Sequence, residues 1–250
     1  MQQERPPQQT VEDLYHQSNT RRRQRRLRAV AVPLLLAIWA CVPNIGPLLR
    51  NFSVASASME PALPKHRTMI VSRAAYGYSR HSFDLLPLPI QGRWPDRSPA
   101  RGDIVTYRLP SDPRTIYVKR VIGLPGETVQ LKSGQLFLKN VPVLRQTYSS
   151  GARNPDPESP RGFVPAYLEH LPGSAAYVVL ETDGDAGPLD DTHALTVPHG
   201  HIFLLGDNRD NSSDSRVTPS HGAIPIDHVI GRVIYVFGAS APPPLEGLAK

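Results

Sequence analysis

Prolines punctuate this chain from Pro6 to Pro244, 27 of its 250 residues, about twice the usual share of ~5%. Each removes a backbone donor and fixes φ, so no long helix can run through most of the chain. What lies between them reads as short β-rich runs closed by turn residues. These are Thr68–Ser72, Asp103–Arg108, Thr115–Ile122, Gly134–Lys139, Ala175–Leu180, Ile202–Leu205 and Val229–Phe237. Gly123–Gly126 and Lys132–Gly134 read as turns, and Val164–His170 as the one short helix. The stretch 149–162, with Pro155, Pro157 and Pro160, reads as an exposed loop, and the tail from Ala239 as loose. The expectation is an all-β, mostly antiparallel body.

One stretch stands apart by its charge pattern. Arg21, Arg22, Arg23, Arg25, Arg26 and Arg28 crowd together, and the 21 residues Ala29–Leu49 then carry no charge until Arg50. As a helix at ~1.5 Å per residue, that run reaches ~31 Å, the hydrocarbon depth of a bilayer. Arginines on its N-terminal side predict a cytoplasmic N-terminus and a body beyond the membrane. Pro33, Pro43 and Pro47 weaken the span, and a cleaved signal peptide is the rival reading.

Charge points the same way. The net +6 looks like a nucleic-acid signal, yet residues 51–250 carry 20 basic and 19 acidic side chains. The body is nearly neutral and the basicity is local to the N-terminus, so nucleic acid is not an expected partner. Cys41 is alone, which excludes an intrachain disulfide and a cysteine-based zinc site.

Three segments hold the chemistry. The first is Ser56-Ala57-Ser58-Met59-Glu60-Pro61-Ala62-Leu63, just past the apolar run. By itself it is no more than a serine-capped turn before a proline. The second is Tyr117-Val118-Lys119-Arg120-Val121-Ile122-Gly123-Leu124-Pro125-Gly126-Glu127, where a lysine interrupts an apolar strand pattern. Alternation places Tyr117, Lys119 and Val121 on one face, and Val118, Arg120 and Ile122 on the other. The chain has five lysines against 23 arginines, so a lysine here departs from its habit. An exposed edge-strand lysine is the plain reading; an amine desolvated among apolar neighbours, able to act as a base near neutrality, is the chemical one. The third is Gly206-Asp207-Asn208-Arg209-Asp210-Asn211-Ser212-Ser213-Asp214-Ser215-Arg216. It reads as a solvated loop or a calcium loop, but calcium fails: from Asp210 the sixth place is Ser215, not Gly, and the twelfth is His221, not Glu.

Together and in this order the segments resemble the bacterial type I signal peptidase family of membrane-anchored Ser-Lys endopeptidases. Ala75–Arg80 and Arg101–Val105 also look like that family, and the likeness runs from about Phe52 to Phe237, weakest between roughly 140 and 198. Ala55 and Ala62 depart from its usual residues, and the link Val217–Ile224 is longer than usual.

The resemblance implies Ser58 as nucleophile and Lys119 as general base. It implies an oxyanion hole from the Ser58 backbone N–H and the Ser56 hydroxyl, and Ser212 hydrogen-bonded to the Lys119 amine. Arg120, Asp214 and Arg216 would be supporting charges, and Phe52, Val54, Met59, Leu63, Tyr117 and Val118 would line the substrate pockets. Core packing is the plain reading of those six. It implies no cofactor and no metal. The substrate would be a preprotein signal peptide, cut after small residues of an Ala-x-Ala junction on the outer or periplasmic side of the cytoplasmic membrane. The lipid bilayer and nearby protein-export machinery would be its partners. The layout that follows is a basic tail 1–28, an anchor 29–49, a catalytic core 50–75, 101–127 and 202–238, an inserted β-rich subdomain 76–100 and 128–201, and a tail 239–250. A dedicated maturation peptidase of a conjugation or pilus system would share the same chemistry. An inactive membrane-tethered binding module is the non-enzymatic alternative.

Overall fold

The computed structural model describes residues 27–39, 48–82, 89–148, 152–153, 162–217 and 221–238. Its frame is a seven-stranded sheet in the order Leu49–Ser53, Thr68–Ser72, Val229–Val236, Ile104–Tyr107, Tyr117–Gly123, His201–Leu205, Ile224–Pro225. Every neighbouring pair in it is antiparallel. The last long strand slots between the second and fourth of these elements, so the end of the chain closes the sheet that its beginning opened. All seven β-rich runs are strands, with bounds within two residues of those read from sequence. Gly126, Ser133 and Gly134 take positive φ in the two expected turns.

The segment Tyr117–Gly123 is an interior strand, with Val105 opposite Lys119 on one side and Leu205 opposite Arg120 on the other. Its last five residues are all buried. That placement removes Lys119 from water, which an edge position would not.

The segment 128–201 builds further small sheets. Thr128–Lys132, Gln135–Leu138, Val141–Pro142 and Leu195–Thr196 form one; Leu144–Thr147, Ala166–His170 and Tyr177–Leu180 form another. Their apolar faces join those of the large sheet: Val129, Leu131, Leu136, Leu138, Leu171, Tyr177 and Val179 pack with Ile122, Phe203 and Leu205 in one cluster. Truncating a side chain as buried as Leu131 costs about 2–5 kcal/mol, so these segments share one core. A two-stranded hairpin, Tyr78–Ser79 with Arg93–Trp94, flanks the sheet.

The short helix expected over Val164–His170 is not formed. Phe163–Val164 and Ala166–His170 are strands, and Leu168 pairs with Gln146 on one side and Val178 on the other. Val164, Ala166 and Leu168 are buried with period two, the spacing of a strand rather than a helix. Several strands went unread, among them Thr128–Lys132, Leu144–Thr147, and Leu49–Ser53, whose Leu49 pairs with Ser72 although it closes the apolar run.

Residues 27–39 form a helix whose apolar side chains, from Leu27 through Trp39, are exposed all round. Among the described residues no helix is long and apolar enough to cross a membrane. The rest of the expected anchor up to 47, most of the basic tail, most of 149–162 and the tail from Ala239 lie outside the described residues.

Candidate active site

Ser58 sits in a turn that follows the first strand. The Glu60 N–H donates to the Ala57 carbonyl at 3.1 Å and the Leu63 N–H to the Met59 carbonyl at 2.8 Å. Met59 and Leu63, 0% and 1% exposed, bury the turn's apolar side with Val54, Met69 and Val71. The turn thus presents Ser58 toward the interior strand, and the Lys119 Nζ and Ser58 Oγ stand 2.7 Å apart in a hydrogen bond. Both groups are nearly shut off from solvent, at 4% and 6% exposure.

Burial drives the Lys119 amine down from its ordinary value to about 8, with Arg216 assisting and Asp214 and Asp207 opposing. A charged ammonium donates to Ser58 Oγ; once neutral, its lone pair can instead accept the hydroxyl proton. At 2.7 Å no movement of the backbone is needed for that exchange.

The third segment is not a solvated loop. Eight of its eleven residues are buried, and its charges are paired inside the molecule. The Asn208 N–H donates to the Ser58 carbonyl at 3.1 Å, and Asn208 Nδ2 to the Ala57 carbonyl at 3.3 Å, clamping the serine turn from behind. Gly206 makes that approach possible: a Cβ there would lie 2.2 Å from Ser212 Oγ and 2.6 Å from the Ser58 carbonyl oxygen.

Asp214 is the hub of this segment. Its carboxylate accepts from the Gly206 N–H at 3.0 Å, the Ser212 hydroxyl at 2.7 Å and the Arg216 Nε at 2.9 Å. Burial alone would raise it, but the Arg216 guanidinium and these hydrogen bonds hold it below its ordinary range. Ser212, expected on the Lys119 amine, therefore spends its proton on Asp214. Among the described residues no hydrogen bond joins Ser212 to Lys119; the carboxylate, as an ionised acceptor, is the stronger partner for a hydroxyl.

Arg120 points away from Lys119, as alternation requires. It makes a two-pronged ion pair with Asp207, at 2.8 and 2.6 Å, and lies 4.2 Å above the Tyr177 ring. Ser56 is exposed, with its hydroxyl 3.1 Å from Ser58 Oγ. The Ser58 backbone N–H donates to no acceptor among the described residues. Of the pocket candidates, Val54, Met59 and Leu63 are core, while Phe52 and Val118 are half-buried against them. Tyr117 is half-buried in a different cluster, and the ring of His221, from the long link after Arg216, meets it edge-on at 5.8 Å.

Sequence reasoning passed over Gly206, Asp207 and Asn208, although all three lie inside the third segment. It also missed Arg209, Glu169 and Tyr177. Arg209 Nη2 donates to Glu169 Oε2 at 2.5 Å, and Tyr177 donates to the same oxygen at 2.6 Å. Glu169 and Tyr177 belong to strands of the three-stranded sheet, and no local signal ties them to a loop 40 and 32 residues on.

Comparisons with known proteins converge on one family. The family model described as signal peptidase, peptidase S26, matches residues 24–238. A signal peptidase I of Rickettsia canadensis is 32% identical over 201 residues, covering 76% of this chain and 72% of the relative. One of Pseudomonas aeruginosa is 31% identical over 209 residues, covering 80% and 69%. A solved signal peptidase I of Enterococcus faecalis aligns with 55% of this chain and 98% of its own, at 26% identity and a TM-score of 0.33. That superposition is too loose to compare folds.

Proposed function

We propose, from the premise that this chain belongs to the signal peptidase S26 family and is a serine endopeptidase, that it removes N-terminal signal peptides from exported preproteins. One observation carries the reading: a buried lysine amine held 2.7 Å from a buried serine hydroxyl.

In this mechanism Ser58 Oγ attacks the scissile carbonyl while its proton passes to the neutral Lys119 Nζ. The oxyanion that forms takes the Ser58 N–H and the Ser56 hydroxyl as donors, and loss of one such donor costs ~10²–10³ in rate. Lys119 then gives its proton to the departing amine, leaving an ester on Ser58. A water, deprotonated by the same amine, attacks that ester, and Ser58 Oγ recovers the proton as the acid leaves. Ser212 acts through Asp214 rather than on the amine directly, keeping the third segment in register behind the site. Arg120 and Arg216 hold the same segment through Asp207 and Asp214.

The substrate would lie extended along the serine turn and the Lys119 strand, with main-chain bonds giving affinity and shallow pockets admitting small residues at an Ala-x-Ala junction. Phe52, Tyr117 and Val118 would form the reachable walls, and Val54, Met59 and Leu63 the packing behind them. The run 29–49 would anchor the chain in the cytoplasmic membrane with its N-terminus inside and the catalytic body outside, near the export machinery. The all-round exposure of apolar side chains in 27–39 supports that placement. The basic tail 1–28 and the division into core and inserted segments belong to the same reading.

The test is cleavage of a purified preprotein with an Ala-x-Ala junction by the detergent-solubilised chain. Cutting after the −1 alanine, abolished in Ser58→Ala and in Lys119→Met, is the expected result. Cleavage that survives either substitution would overturn the assignment.

A further inference from the structure

Far from Ser58 in function, a mixed set of nitrogen and oxygen donors meets where the small hairpin touches the core. His81 follows the hairpin strand Tyr78–Ser79; Asp227 and His228 lie in the 3-10 turn Ile226–His228, which leads into the last core strand. One ligand atom from each of the three lies within 4.8 Å of the other two. The imidazoles stack with centroids 4.2 Å apart and planes tilted by 33°.

The surrounding backbone is already tied. Ser79 Oγ donates to the Asp227 carbonyl at 2.6 Å, and Arg93 donates to the carbonyls of Gly77 and Ile226 at 2.6 and 3.1 Å. The ligand set therefore rests on a braced frame rather than on a loose loop.

Donor chemistry is right for a metal. His228 Nδ1 lies 3.2 Å from the Arg108 carbonyl, which can only accept, so Nδ1 carries the proton and Nε2 keeps its lone pair. His81 Nε2 accepts from the exposed Arg80 Nε at 3.1 Å, a contact that solvent can replace. The Asp227 carboxylate accepts no hydrogen bond among the described residues, and the nearby Arg93 guanidinium interacts with its charge. Two nitrogens and one carboxylate suit zinc-class ions and do not suit calcium or magnesium, which take oxygen donors.

We propose that His81, Asp227 and His228 form a structural site for a zinc-class divalent cation, its fourth position open to water, that fastens the strand pair Tyr78–Ser79 and Arg93–Trp94 to the large sheet. Arg80 and Arg108 act against a cation here, so micromolar affinity is expected rather than the tighter grip of a cysteine site.

The experiment is titration of the detergent-solubilised full chain, free of any affinity tag, with Zn²⁺ by calorimetry and with Co²⁺ by visible absorption. One equivalent should bind with micromolar affinity, give a d–d band with Co²⁺ and raise the thermal midpoint. His81→Gln and Asp227→Asn should each weaken binding at least tenfold and abolish the band. The double variant His193→Gln/His199→Gln, which removes two exposed histidines outside the cluster, should bind as the parent does. His81 and Asp227 are partly exposed, so their variants keep the test valid even where His228→Gln does not fold. Absence of stoichiometric binding, or binding unchanged in His81→Gln and Asp227→Asn, overturns the proposal.

Discussion

Arg209 donates to Glu169 at 2.5 Å with both side chains at 0% exposure. One partner lies in the segment that backs Ser58; the other lies in the strand Ala166–His170 of the three-stranded sheet. The segment 206–216 is therefore seated on that sheet and not only on the large one. A parallel bridge between Leu180 and Asn208 adds main-chain bonds to the same seam. Removing one member of a buried pair strands the other, at about 3–5 kcal/mol. Glu169→Gln should thus lower stability by that order in a denaturant titration and weaken cleavage, although Glu169 touches no reacting atom.

Gly206 should tolerate no side chain. In Gly206→Ala the new methyl meets Ser212 and the Ser58 carbonyl oxygen well inside contact distance. Displacing a nucleophile by about 1 Å can cost ~10² in rate. The expected result is a drop of that size in kcat with KM little changed, read from steady-state cleavage of a peptide substrate.

If Lys119 is the base that the proposed mechanism requires, the pH profile should show one ascending limb near pH 8, because the amine accepts a proton only when neutral and burial sets it at about 8. Stability carries the matching sign. The folded amine holds its proton less firmly than the unfolded one at ~10.4, so between these values the unfolded chain binds more protons. Lys119 therefore makes stability rise with pH from about 8 toward 10. Lys119→Met should remove that rise in pH-dependent unfolding curves.

Asp214 opposes the depression of the Lys119 amine, since its negative charge favours the ammonium. Asp214→Asn removes that charge, so the limb should move to lower pH. The same change leaves Arg216 buried without its partner, and a loss of about 3–5 kcal/mol should accompany it. Ser212→Ala removes only a hydroxyl donor to Asp214. It should lower kcat without moving the limb acidward as far as Asp214→Asn does.

Much of the fold was legible because it rests on period-two alternation between prolines, a local signal. The 164–170 segment misled because seven residues with Tyr and Leu fit either period, and only pairing on both sides decides. The pair Ser58 and Lys119 could be named from its segments, yet neither segment says that Lys119 lies on an interior strand; the sheet order does. The third segment alone does not say which partner the Ser212 hydroxyl takes; in the structure the ionised, buried Asp214 beside it receives the proton. Glu169 and Tyr177 stood outside every motif, because a buried ion pair between elements far apart in sequence leaves no mark in either stretch.

The account's central claim is that Ser58 carries the acyl group while Lys119 manages its proton. Mixing the detergent-solubilised chain with a preprotein peptide above pH 8, where Lys119 is largely neutral, quenching in acid within the first turnover and mapping the chain by mass spectrometry tests it most directly. The adduct should be found on Ser58, and be absent in Lys119→Met. An adduct on Ser56 or Ser212, or an undiminished Ser58 adduct in Lys119→Met, would contradict it.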